Sequence, residues 1–161
     1  MAGRAIKALK EDRLDDFAKD MHPDALKELK SALVSVAEAA AKAGEGKEIL
    51  ALLGDAKSVE TLKKLDDQQF FVAFYRGLIR LQPKLKQVLS TAEVKIIGHV
   101  LEGKDTAHVV HRMIMDVEGI KVAKTDVISM RKRESGWGML LTGDLENVTK
   151  SLKRQFGVDK K

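Results

Sequence analysis

A chain of 161 residues, 44% hydrophobic and 33% charged, is long enough to bury one sizeable core, and its composition is that of an ordinary globular protein without low-complexity tracts. The absence of cysteine excludes disulfides, thiolate nucleophiles and Cys-based zinc or iron–sulfur sites. The charge of +5 comes from 29 Lys and Arg against 24 Asp and Glu, mixed in sign along nearly every segment, the pattern of a solvated surface.

The start, Met1-Ala2-Gly3-Arg4, carries no apolar h-region or small-residue cleavage site, so no address is written in the chain as given. The compartment is open: cytoplasmic, or exported with a leader removed. No run approaches the roughly 18 apolar residues that span a bilayer.

From Arg4 to Lys19, Ile6, Leu9, Leu14, Phe17 and Ala18 recur with helical spacing, and Glu11-Asp12-Arg13 interrupts them, which predicts a jointed helix. Met21-His22-Pro23 stops it, since the residue before proline is pushed out of the α region, and Pro23 suits the first turn of the next helix. That helix, to about Ala43, aligns Leu26, Leu29, Leu33, Val36 and Ala40, and Gly44 with Gly46 ends it. Two short helices follow over 47–53 and 58–65, separated by Gly54-Asp55. Asp66 and Gln69 then form a capping box before the richest stripe in the chain, Phe71, Phe74, Leu78 and Leu81, flanked by Phe70 and Tyr75 and closed by Pro83. We expect this helix to pack deepest on the sheet.

Near Ser90 the rhythm changes to short alternating runs broken by glycine turns. Four strands are expected, over 94–101, 107–117, 120–132 and 137–142, with a last helix from about Leu145 to Phe156 that Asp144 can cap. The class is therefore α+β: N-terminal helices (about 4–82) packed on a curved four-stranded antiparallel sheet (about 93–142), then a C-terminal helix, in a single domain over 1–161.

Turn length sets hairpin register. A two-residue Glu118-Gly119 loop pairs Val117 with Ile120 and puts His111 opposite Asp126, with Ala107, Val109, Met113, Met115, Val122, Lys124, Ile128 and Met130 on the same face. A type I turn with a glycine bulge would instead set Arg112 against Lys124, a like-charge pair, so the two-residue register is favoured. The other face, with His108, Val110, Arg112, Ile114, Thr125, Val127 and Ser129, is mixed, suited to solvent or to a second subunit in a homodimer.

Ala5 to Asp12 through Phe17, Met21-His22-Pro23-Asp24, then helices, a long hairpin and a strand opening on Gly136-Trp137 together resemble the nuclear-transport-factor-two-like superfamily. The resemblance covers most of the chain. It implies a cone-shaped α+β fold in which a curved sheet wraps a long helix around a pocket; the short helices between Lys47 and Leu65 depart from it. Members include small-molecule isomerases and dehydratases, adaptors, and many exported bacterial domains of unassigned activity, so the fold does not select a function.

His111 with Asp126 is the sharpest chemical candidate, because a carboxylate orients an imidazole and stabilises its charged form for acid or base work. Tyr75 would add a hydrogen-bond donor, and Trp137 an aromatic wall resembling the superfamily's proton-transfer pockets. The alternative is a cross-strand pair that satisfies two polar groups. His108 and His111 point to opposite faces, so a shared metal needs a bulge, and His99 with Asp126 lacks the usual ligand spacing. His22 reads as a helix-boundary residue. Gly44-Glu45-Gly46-Lys47 lacks the spacing and the Ser or Thr of a phosphate loop, and Ser90 and Ser135 lack a nucleophile elbow.

Arg131-Lys132-Arg133 and Lys150, Lys153, Arg154, Lys160 and Lys161 are basic, but Glu134, Asp144, Glu146 and Asp159 lie among them and no nucleic-acid signature accompanies them, which argues against that partner. The expectation is a non-enzymatic module that binds a small apolar ligand or a protein. Its pocket is lined by Phe71, Phe74, Leu78, Met113, Met115, Met130 and Trp137, with no cofactor and no metal. The alternative is a small-molecule isomerase, dehydratase or hydrolase using His111 and Asp126.

Overall fold

In the computed structural model, which describes residues 1–158 apart from Asp55 and Glu118, helices precede strands and the class is α+β. Among the described residues the order is α1 (Ala2–Lys10), α2 (Leu14–Asp20), α3 (Pro23–Lys42), α4 (Gly46–Leu52), α5 (Val59–Lys64), α6 (Asp67–Leu81) and α7 (Pro83–Thr91), then β1 (Glu93–Glu102), β2 (Thr106–Val117), β3 (Ile120–Arg133) and β4 (Gly136–Met139), and last α8 (Gly143–Gln155). The strands form one antiparallel sheet in chain order. The described residues gather into two compact units.

The helical unit takes Pro23–Leu81 and the chain from Gly143 onward. The expected stripe of α3 is buried in full: Leu26, Leu29, Leu33, Val36 and Ala40. The capping box is formed, Gln69 N–H donating to Asp66 Oδ1 at 2.8 Å and Asp66 N–H to Gln69 Oε1 at 3.1 Å, which satisfies two amides at the start of α6. Ser58 caps α5 in the same way, accepting from Thr61 N–H at 3.2 Å. Phe70, Phe71 and Phe74 are buried, and α6 has α3 and α4 as its main packing partners. An amphipathic stripe demands cover without specifying what supplies it, and within this unit α3 and α4 supply it.

The sheet unit takes Met1–His22 and Gln82–Thr142. The joint between α1 and α2 falls where the apolar spacing breaks, with Asp12 in the left-handed region at φ 57°. Ala2, Ala5 and Ala8 form the buried face of α1, while Ile6 and Leu9 are half-buried. Asp20, 2% exposed, is held by the Arg4 guanidinium, whose Nε lies 3.0 Å from Oδ2. Helix α7, absent from the sequence reading, packs on β2, and α2 packs on β4. Its signal is Pro83 at the first helical position, the device that also starts α3.

Gly138 in β4 lies against the chain before α3: a Cβ there would stand 2.8 Å from His22 Cα and 2.9 Å from His22 N, and His22 N–H donates to Met139 O at 2.7 Å. Gly138→Ala is expected to lower unfolding stability by about 1–3 kcal/mol, since backbone must shift to admit one methyl. Gly98→Ala, with nothing within 4 Å, is the matched control in the same sheet. Urea unfolding followed by Trp137 fluorescence measures both, and equal midpoints would refute the close approach.

Candidate functional site

The middle hairpin has the favoured register. Val117 pairs with Ile120, Asp116 with Lys121, His111 with Asp126 and Arg112 with Thr125. Gly119 takes φ +85° and donates its N–H to Asp116 Oδ1 at 2.8 Å; Glu118, the other residue of the expected loop, lies outside the described residues. The face bearing His111 is the inner one: Ala107, His111, Ile128, Met130 and Met139 are buried, and Val109, Met113 and Met115 half-buried. On the outer face Arg112, Ile114, Thr125 and Val127 are exposed. His108 sits there between Ser129 Oγ at 3.0 Å and the Glu102 carboxylate at 2.7 Å, on the side opposite His111.

Being opposite in the ladder does not join His111 to Asp126 by a hydrogen bond. The carboxylate is taken by Lys124, whose Nζ is 2.9 Å from Oδ2, and by the Val127 amide at 2.8 Å from Oδ1. The Lys124 contact holds Asp126 below the usual carboxylate range against a smaller upward push from desolvation, with Val127, the Lys124 charge and His111 adding to the lowering. His111 Nδ1 is buried with no hydrogen-bond partner. No hydrogen bond orients the ring at that nitrogen. Tyr75 belongs to the helical unit, with its ring centroid 5.3 Å from that of Phe71 and 6.5 Å from that of Phe74. Its hydroxyl is pushed up to about 12, first by burial and then by Asp144.

The expected pocket residues are divided. Phe71, Phe74 and Leu78 lie on α6 of the helical unit, where the two phenylalanines are solid core. Met113, Met115, Met130 and Trp137 lie in the sheet unit, which has two concave surfaces of interest. One, of about 410 Å³, is formed on the inner face by Ile96, His99, Leu101, Val109, Met130 and Trp137, with Met1, Ala2 and Gly3 also lining it. The other, of about 560 Å³, lies between α7 and the hairpin end, where Lys84, Glu93, Asp116 and Lys121 accompany Val88 and Met115. Met113 lines neither.

The first cleft is the better candidate for binding. Its walls are predominantly apolar, and two of them are costly to leave in water: Ile96 is 42% and Leu101 60% exposed. Sequence reasoning placed Met130 and Trp137 in a pocket but missed Ile96, His99 and Leu101. These reach one face through a bulge in β1, where the register jumps between Ile96 and Gly98. The available signal is Gly98 itself, since an isolated glycine in a strand pattern marks a bulge.

Among the described residues no group of three His, Asp or Glu side chains is placed to hold a metal ion, and no helix is long and apolar enough to cross a membrane. Of the basic residues near the C-terminus, Lys160 and Lys161 lie outside the described residues. Comparison of the chain with protein-family models, curated proteins and solved structures found no match.

Proposed function

We propose that the sheet unit is a non-enzymatic binding module that takes a small apolar ligand in the cleft lined by Ile96, Leu101, Val109, Met130 and Trp137. The observation that carries this reading is the convergence of these side chains on about 410 Å³ of open space, inside the roughly 300–1,000 Å³ range of small-molecule sites. Covering Ile96 and Leu101 would remove apolar surface from water at about 25 cal/mol per Å², which is the driving force for an oily ligand. His99 is the polar group at hand to orient one. The Asp126 carboxylate is engaged by Lys124 and the Val127 amide, which favours the binding reading over the enzymatic alternative at His111 and Asp126. We keep the nuclear-transport-factor-two-like resemblance as the architectural part of this proposal, supported by helices that precede a long hairpin and by a last strand that opens on Gly136-Trp137.

Trp137 is the chain's single tryptophan, so the cleft contains its own reporter. Titration with 1-anilinonaphthalene-8-sulfonate is expected to quench Trp137 by energy transfer in a saturable, single-site manner. Val109→Glu, which places a charge on the cleft wall, is expected to weaken binding by about tenfold or more while leaving the far-ultraviolet circular dichroism unchanged. Non-saturating quenching, or a titration that Val109→Glu leaves unmoved, rejects the cleft as the binding site.

A further inference from the structure

The sheet has two unlike edges. β4 is four residues long and is bridged by Met21 at Met139, whereas β1 runs for ten residues as the terminal strand of the sheet. On β1, Ile96, Ile97, Val100 and Leu101 are 42%, 53%, 63% and 60% exposed. A long apolar edge of this kind is a template for another strand. We propose that the occupant is β1 of a second copy of this chain, paired antiparallel about a two-fold axis at His99, so that two four-stranded sheets become one.

The charges on β1 select that occupant and that register. Paired residues of an antiparallel ladder point to the same face, so a two-fold axis normal to the sheet must fall on a residue. Ile97 is the extra residue of the bulge, so ladder positions run Glu93, Val94, Lys95, Ile96, Gly98, His99, Val100, Leu101, Glu102. With the axis at His99, Lys95 of each copy meets Glu102 of the other and Ile96 meets Leu101, both at equal ladder distance and hence on the same face. Moving the axis one position toward Gly98 sets Glu93 against Glu102. Moving it toward Val100 leaves Lys95 and Ile96 opposite the turn that follows Glu102, where neither has a strand partner. Only the central register joins opposite charges while setting Ile96 against Leu101; Val100 then faces Gly98.

Lys95 has a further reason to prefer a carboxylate neighbour. Its partner within its own sheet is Arg112, a like charge directly across the ladder. Glu102 is held by His108 at 2.7 Å, with its side chain 73% exposed at the strand end. The pairing shares Ile96 and Leu101 with the ligand cleft, and its test reads association of the full chain instead of ligand binding.

Light scattering and sedimentation of the full chain test the pairing. The wild type is expected to be a dimer at high concentration. Lys95→Glu and Glu102→Lys are each expected to weaken dimerisation about tenfold, because symmetry repeats the like-charge pair twice. The double reversal, Lys95→Glu with Glu102→Lys, is expected to restore it, which also shows that the single variants failed in pairing and not in folding. Lys95→Gln, which deletes the charge without reversing it, is expected to give a smaller loss and serves if a reversal disturbs the strand. A monomeric wild type, single variants that dimerise normally, or a double variant that stays dissociated would each overturn the proposal. So would a dimer that survives the β1 variants but is broken by Val127→Lys, since that result assigns the contact to the outer sheet face.

Discussion

Gly77→Ala is expected to destabilise the helical unit by about 3 kcal/mol or more, at the upper end of what one added methyl costs in a packed site. Helix propensity alone predicts the opposite sign, because alanine in a helix interior is worth about 1 kcal/mol over glycine. The reason for the reversal is a backbone crossing. A Cβ at Gly77 would stand 2.0 Å from the Leu52 carbonyl oxygen, 2.7 Å from its carbon and 3.1 Å from Gly54 N. All three are main-chain atoms, so no side chain can turn away. One helical turn earlier, Ala73 meets the same segment, where Gly54 adopts φ +83° and a Cβ on it would lie 2.9 Å from Ala73 Cβ. Ala73 and Gly77 thus form a small-residue seat on α6 for the end of α4, and the Arg80 guanidinium closes over it by donating to Ala51 O at 2.5 Å. Urea unfolding followed at 222 nm measures the loss. Gly143→Ala, with open space around it in α8, is the control and should stay within about 1 kcal/mol of wild type. A Gly77→Ala variant as stable as the parent would mean that α4 and α6 do not cross this closely.

Phe71→Ala is expected to cost about 3–5 kcal/mol, the range for emptying a phenylalanine site in a core. Phe71 is fully buried, Phe70 and Phe74 are 1% exposed, and Leu29, Leu33 and Val36 of the neighbouring α3 are buried with them. The measurement separates two roles for the residue. A side chain that merely lines an open pocket loses little when truncated, whereas one that fills a core loses its transfer energy and leaves a cavity. A loss below about 1 kcal/mol would restore Phe71 to the expected ligand pocket, and a loss in the core range assigns it to the architecture of the helical unit.

The parts of the fold legible in the amino-acid order are those decided within a few residues. Asp66 and Gln69 are three apart and cap one helix end; Pro23 starts a helix; the glycine at 119 and the alternation on both sides of it set which residues of β2 and β3 meet. His111 opposite Asp126 was legible for that reason. What the pair would do was not, because Lys124 and the Val127 amide compete for the same carboxylate, and a ladder count does not weigh competing partners. The candidate cleft was half legible. Met130 and Trp137 could be assigned to a face by alternation, but Ile96, His99 and Leu101 depend on a bulge that alternation cannot register.

By itself, then, the order of amino acids determined the α+β class, the succession of elements apart from α7, and the pairing of the central hairpin, since turns, caps and hydrophobic period act over one or two turns of chain. The tertiary structure alone decided that α6 beds against α3 and α4, that Gly77 must be bare for Leu52 to approach, that α7 covers β2, and that β1 is left as a long apolar edge. Each of these depends on which surface finds which, and apolar burial is non-directional: a stripe of Leu and Phe states how much area must leave water, while shape and backbone clearance choose the partner.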